Sequence, residues 1–365
     1  MNTSNRQIAD NIIKPILVES PNYGTESKWF KLRRKLHGIF LSKIANTPLQ
    51  FRLYPSYWHY VLSSKKEDNL IKKNNNYKLY LSQIPNYGAG IGHQLANWNS
   101  GLYFAKFFNV NFAHFPFSTS KWESLLGFGE GEITVNELIN NKIKVVKLPR
   151  FDSENNEEVN LVKKIIDSYK GNNILFKLEQ DQGYMRQFET SNILSAKFFN
   201  AISRKKDNLI SSKETFNIAI HIRRRMKIET NEVWISRGLE NQYYANILNQ
   251  VLQILQTSKK VNIYLFSQGK VEDFPEFNPF ENIIFCTAMN AMDSFVEMAN
   301  ADILISSKSS FSYKPALISK GIKIFPETFW HGHPQTPDFI PANNTGEFDH
   351  TLLNTALSNY NTISV

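Results

Sequence analysis

Residues 216–225 read FNIAIHIRRR. Ile218, Ile220 and Ile222 alternate with Ala219, His221 and Arg223, the two-residue period of a β-strand. A strand running outward through a sheet delivers the terminal Arg223, Arg224 and Arg225 to its carboxyl edge. Three adjacent guanidiniums repel one another, an anion relieves that repulsion, and their forked donors suit phosphate oxygens. A solvated basic turn or a salt-bridged strand end accounts for the same residues without a ligand. Beyond this run the pattern repeats as helix QYYANILNQVLQILQ (242–256), strand KVNIYLFS (260–267), helix MDSFVEMAN (292–300), strand DILISS (302–307), helix SYKPALIS (312–319) and strand IKIFP (322–326). Strands alternating with amphipathic helices predict parallel βαβ units with right-handed crossovers, so the fold class is α/β.

Upstream, YKLYLSQI (77–84) reads as a strand that enters the glycine-rich turn Gly88–Gln94 and then a helix, with Leu95, Trp98, Leu102, Ala105 and Phe108 at helical spacing. VNFAHF (110–115) and KIKVVKLP (142–149) supply further strands, and VNLVKKIIDSYK (159–170) a helix. A helix in 191–212 leads into the charged connector SRKKDNLISSKE (203–214). The expected organisation is an N-terminal domain over 1–205, a C-terminal domain over 213–345 and a tail over 346–365. The length of 365 residues, beyond the usual ceiling for one hydrophobic core, agrees with two domains. Two such domains place a cleft between the carboxyl edges of their sheets, where open α/β sheets bind ligands.

Composition narrows the function classes. With 42% hydrophobic and 21% charged residues the chain is an ordinary globular protein. Its single cysteine, Cys286, excludes an intramolecular disulfide framework and suits a reducing compartment; it lies in a strand-like run and is expected to be buried. The first 24 residues contain no signal-peptide pattern, and nowhere do about 18 apolar residues run together, so a cytoplasmic protein without a membrane span is expected. The net charge of +9 favours anionic partners. The basic residues read as scattered, with no basic-aromatic RNA-binding signature, which disfavours nucleic acid.

Three further segments carry chemistry. The turn Gly88-Ala89-Gly90-Ile91-Gly92-His93-Gln94 follows a strand and opens a helix, where glycine lets backbone N–H groups approach an anion or simply permits a tight turn. His93 falls where a dinucleotide fingerprint needs its third glycine, and no acidic residue ends the next strand, which argues against NAD and FAD. Ser306–Ser312 joins a strand to a helix and offers hydroxyls and free amides, with Ser312 alternatively a helix cap. YLFSQG (264–269) ends its strand in Ser267, Gln268 and Gly269. No Asp-x-Asp occurs to hold a metal-bound diphosphate, and His331 and His333 in WHGHP form an exposed-looking pair without a carboxylate third ligand.

Taken in order, GIGHQLANWNSGLYFAKFFN (90–109), IAIHIRRRMKIETNEVWISRGLENQYY (218–244), YLFSQG and ADILISSKSSFSYKPALIS (301–319) resemble the motifs of the fucosyltransferase superfamily, which includes α1,2-, α1,6- and protein O-fucosyltransferases. The resemblance spans about a third of the chain, and 115–205 contributes almost nothing to it. It implies a GT-B fold, two Rossmann-like domains facing each other across a cleft. It also implies a GDP-fucose donor, a glycan acceptor, inversion at the anomeric carbon and no metal or other cofactor. Carried over by position, Arg223 binds the donor β-phosphate and Arg224 assists. His221, Ser267, Gln268, Ser309, Ser310, Phe311 and Ser312 join them at the donor, while Gly90, Gly92 and Gln94 lie on the acceptor side. Arg225-Met226 replaces the Gly-Asp of the bacterial α1,2 pattern, and His93 replaces its Asn.

Preorganised cations at a β-phosphate offset the charge that develops on a departing nucleotide. An imidazole suits the deprotonation of an acceptor hydroxyl at neutral pH, which makes His93 a base or, equally, a group that only positions the acceptor. Another nucleotide-sugar donor, or a non-catalytic protein binding anionic glycans or nucleic acid, remains the alternative. The stretch WFKLRRKLHGIFLSKI (29–44) mixes Lys31, Arg33, Arg34, Lys35 and Lys43 with large apolar residues. It reads either as a helix packed on the first domain or as a weak, salt-sensitive contact with an anionic membrane.

Overall fold

A computed structural model describes residues 47–63, 76–86, 89–178, 184–224 and 238–363. Gly88, Arg225, Met226 and the 29–44 stretch lie outside the described residues. In chain order the first part contains α1 (Pro48–Arg52), α2 (Pro55–Ser63), β1 (Leu79–Gln83), α3 (Ile91–Phe107), β2 (Asn111–Phe112), α4 (Ser120–Leu126), α5 (Val135–Asn140), β3 (Lys144–Lys147), α6 (Asn156–Asp167), β4 (Ile174–Leu178) and α7 (Ser191–Asn200). The remainder contains β5 (Phe216–His221), α8 (Asn241–Ile254), β6 (Val261–Phe266), β7 (Ile283–Phe285), α9 (Ala291–Asn300), β8 (Ile303–Ile305), α10 (Ser310–Ile318), β9 (Ile322–Pro326), β10 (Phe339–Ala342) and α11 (His350–Ile363).

The chain forms two compact units. One comprises Met1–Ala89, Ser100–Pro116 and Gly131–Gly183; the other comprises Gly90–Asn99, Phe117–Glu130 and Tyr184–Val365. The first holds a parallel sheet in the order β2-β1-β4-β3. Leu79 and Leu81 of β1, Ile174 and Phe176 of β4 and the stripe Val159, Val162, Ile165 and Ile166 of α6 share its core. Asn155 starts α6 by accepting hydrogen bonds from the Glu157 and Glu158 amides, satisfying donors that a helix N-terminus leaves open.

The second unit holds a six-stranded parallel sheet in the order β10-β9-β8-β5-β6-β7. From β5 the chain moves outward on one side through β6 and β7, then returns to pair β8 against the other side of β5. The boundary between β5 and β8 is therefore the topological switch point, where a crevice opens at the carboxyl ends of the strands. Every residue of β5 is buried, as expected for the central strand of a parallel sheet covered on both faces.

Both sheets are parallel α/β, as the alternation of strands and helices predicts. Two differences concern boundaries. Residues 90–99, 117–130 and 184–205, expected in the N-terminal domain, pack in the second unit because large side chains fasten them there. Trp98 packs on Phe117 and Phe128, and Trp122 and Phe198 both lie against Phe295 of α9. Lys314 of α10, fully buried, donates to the Gln187 side chain, and the Asn99 amide donates to the Gln187 carbonyl at 2.7 Å. Burial holds the Lys314 amine well below its ordinary pKa.

The second difference is the expected tail. It contains β-bridge residue Phe348 and helix α11, whose Leu353, Ala356 and Leu357 enter the core of the six-stranded sheet. Leu353 is fully buried. Leu353→Ala is expected to cost about 2–5 kcal/mol of stability, read as a drop in denaturant midpoint; a change below about 0.5 kcal/mol would mean that the helix is not part of the core.

Candidate functional site

At the switch point the second unit encloses a pocket of about 350 Å³. That volume lies at the lower end of the range for small-molecule sites. Three strand ends line it: His221–Arg224 at the end of β5, Phe266–Gln268 at the end of β6, and, after β8, Ser309 at the cap of α10 with Phe311 in its first turn. The start of α9 contributes Met289, Ala291 and Ser294. Seven of the donor-site residues expected from the sequence meet here: His221, Arg223, Arg224, Ser267, Gln268, Ser309 and Phe311. Arg223 and Arg224 are the only side chains with a full charge at neutral pH among the described residues of the lining, so the pocket is electropositive.

β5 ends at His221, and the Ile222 amide still pairs with the Phe266 carbonyl at 3.0 Å, so the two arginines leave the sheet from a fixed point. Arg223 is half-buried. Arg224 reaches Asp273 at 3.5 Å and lies over the Phe274 ring. The salt-bridged strand end thus describes Arg224, and Asp273 is a residue that sequence reasoning missed.

His221 is buried and its Nδ1 is hydrogen-bonded to Ser307 Oγ at 2.8 Å, joining the ends of β5 and β8. Burial, reinforced by the neighbouring Arg223 charge, pushes its pKa down to about 3, so the ring is neutral at physiological pH. Ser267 Oγ donates to the Ile222 carbonyl at 2.9 Å and fixes the β6 loop against the β5 loop.

In the serine loop the cap is Ser309, whose hydroxyl accepts from the Phe311 amide at 3.2 Å. Ser312, which the sequence offered as an alternative cap, is one turn into the helix and fully buried, its hydroxyl bonded to Ser307 and Ser309. It shapes the loop from behind. Ser310 is turned to His331, 3.1 Å away, and neither Ser310 nor Ser312 lines the pocket.

The glycine-rich turn contributes by contact. Gly90 is exposed, and its carbonyl accepts from the His93 and Gln94 amides at the start of α3. Gly92 lies flat on the serine loop: a Cβ there would fall 2.6 Å from the Ser310 carbonyl carbon and oxygen. Glycine is needed at this position for that approach. His93 is half-buried in the same turn. Gln94 is buried and uses both ends of its amide on Ser118, which commits it to holding the 117–130 segment.

The expected exposed histidine pair is corrected. His331 is buried and stacked on Tyr313, and His333 is stacked on Phe325 with its pKa pushed down to about 4 by burial. Cys286 is buried, and its thiol is pushed up to about 11, which removes it as a nucleophile at neutral pH. Met289, Ala291 and Ser294 were missed because the start of α9 carries no signature apart from its Asn290 cap.

No family model and no curated protein matches the chain. Among solved structures it is similar to POFUT1 in complex with GDP, at 14% identity and a TM-score of 0.41, covering 69% of this chain and 98% of that one. It is also similar to NodZ α-1,6-fucosyltransferase soaked with GDP-fucose, at 12% identity and 0.39, covering 71% and 98%. NodZ from Bradyrhizobium gives 12% and 0.39, covering 67% and 94%. At such identities and scores the likeness carries no argument about activity, which rests on the residues above.

The lowered pKa of His221 has a consequence for stability. Between pH 6.5 and about 3 the unfolded chain binds a proton that the folded chain refuses, so stability falls as pH drops through this window and is fully present above it. At pH 5 the loss from this one group is about 2 kcal/mol. His221→Asn should flatten the decline in melting temperature from pH 7 to 5; an unchanged slope would show that His221 is not held neutral.

Proposed function

We propose that this chain is a glycosyltransferase that takes a nucleotide-diphosphate sugar, GDP-fucose by the resemblance of its motifs, into the switch-point pocket and transfers the sugar to a hydroxyl of a glycan acceptor. The observation that carries this reading is the convergence of Arg223, Arg224, Ser267, Gln268 and the Ser309 cap from three strand ends into one electropositive pocket. Guanidiniums, hydroxyls and helix-start amides together form a cradle for a pyrophosphate.

Transfer breaks the bond between the anomeric carbon and the β-phosphate oxygen, leaving negative charge on the nucleotide and oxocarbenium character on the sugar. Arg223 meets that charge, and the role of Arg224, already paired with Asp273, is to support the pocket wall and add field. Neutral His221 contributes position: tied to Ser307, it fixes the backbone from which Arg223 departs. The acceptor hydroxyl attacks from the face opposite the departing phosphate and inverts the anomeric centre. His93 takes its proton or orients it. With arginine as the leaving-group cation, the reaction needs no metal. The single, buried cysteine supports placement in a reducing, cytoplasmic compartment.

Arg223→Ala is expected to abolish transfer from GDP-fucose while leaving the melting temperature near that of the parent. Arg223→Lys should also be poor, because a point charge does not reproduce a forked contact. Wild-type rates should be unchanged in excess EDTA. Near-normal turnover by folded Arg223→Ala, or activity that returns only with Mn²⁺ or Mg²⁺, would overturn the arginine mechanism. In the same assay His93→Asn separates its two roles: as the base it lowers kcat by roughly 10²–10⁴ and removes the acid limb of the rate profile, and as a positioning group it leaves that limb in place.

A further inference from the structure

The chain's excess of basic over acidic residues falls in one region. Residues 27–66 contain nine of the 42 basic residues and none of the 33 acidic ones, so the rest of the chain carries 33 of each and is neutral. The basic residues are scattered, as expected; what sets this region apart is its lack of acidic ones. The described part of this region, residues 47–63, forms α1 and α2 in the first unit.

One side of these helices is bound to the unit. Phe51 and Gln50 are buried, with Gln50 Nε2 donating to Glu158 at 3.2 Å. Ser56 Oγ donates to the Lys147 carbonyl at 2.7 Å, and the His59 ring stacks on Tyr169 with centroids 3.9 Å apart. The opposite side is apolar and, among the described residues, exposed. Leu49 is 45% exposed, Leu53 46%, Trp58 46% and Leu62 60%. Leu49 and Leu53 are one helical turn apart, as are Trp58 and Leu62, and the Trp58 indole N–H donates to the Arg52 carbonyl at 2.8 Å, linking the two pairs. Isolated exposed apolar residues need no explanation, but four large ones gathered on two linked helices do. Arg52 is exposed among them, and Lys147 lies over the Tyr54 ring.

We propose that the outer face of α1 and α2 docks on an anionic lipid bilayer, with Leu49, Leu53, Trp58 and Leu62 entering the headgroup–acyl boundary and Arg52 meeting anionic headgroups. An acid-free, basic stretch interleaved with leucine and tryptophan is the composition that lies in a membrane interface, where tryptophan is favoured. A soluble polyanion would use the charge and leave the four apolar side chains without a role. The inference goes beyond the transferase reading and stands or falls separately from it.

The test is co-sedimentation of the full chain with vesicles of phosphatidylcholine alone or with about a third phosphatidylserine. Wild-type protein should bind the anionic vesicles at least about tenfold more tightly than the neutral ones. A Leu53→Ser/Trp58→Ser/Leu62→Ser variant, altered only at exposed positions, should keep the parent melting temperature and lose at least about fivefold in affinity. Equal binding to both vesicle types, or full binding by the triple variant, would overturn the proposal. So would an absence of vesicle binding combined with heparin or RNA binding that the triple variant retains.

Discussion

The hydrogen bond between His221 Nδ1 and Ser307 Oγ sits where the order of the six-stranded sheet reverses, and the candidate site is organised around it. It joins the ends of β5 and β8, the two strands that flank the crevice, at a depth where an unpaired imidazole or hydroxyl would cost about 1–3 kcal/mol. Arg223 departs two residues beyond one partner. The serine loop turns back through the other, with Ser312 bonded to Ser307 from behind. Because His221 is held neutral, it adds no third charge to Arg223 and Arg224 and does not compete with them for an anion.

The two arginines are chemically alike and structurally different. Arg224 is shared with Asp273 and the Phe274 ring, so part of its charge is spent on the protein. Arg223 lies closer to the strand end, and its charge is felt by His221. The proposed leaving-group role of Arg223 follows the order of the motif, and the paired Arg224 fits the supporting role. The neutrality of the chain outside residues 27–66 makes the pocket's positive charge a local feature of two side chains and not the reflection of a basic protein.

Much of the second unit was legible in the sequence. β5, β6, β8 and β9 are short apolar runs bounded by polar turns, and the edge loops that follow β5, β6 and β8 are the segments that stood out chemically. What escaped was governed by contacts distant in sequence. ILFKL, which forms β4, is not among the strands read from the sequence, and its place in the sheet comes from pairing with β1 and β3 on either side. Helix α11 carries a weak apolar pattern, and only the core position of Leu353 reveals it as structural. The domain boundary failed for the same reason: Trp98, Trp122, Phe198 and Gln187 decide which unit their segments join, and nothing local to them says so. The alternative of Ser312 as a cap missed by one turn because a run of serines offers several equivalent capping hydroxyls; the cap is Ser309, whose backbone is extended.

The central claim is that the switch-point pocket holds a nucleoside diphosphate through Arg223. Thermal unfolding with and without GDP, for the wild type and for Arg223→Ala, tests it most directly, because a ligand that binds only the folded chain stabilises it by about 2.7 kcal/mol at a hundredfold excess over Kd. The account predicts a clear upward shift for the wild type and none for Arg223→Ala, with equal melting temperatures in the absence of nucleotide. A wild type indifferent to GDP, or an equal shift in both proteins, would contradict it.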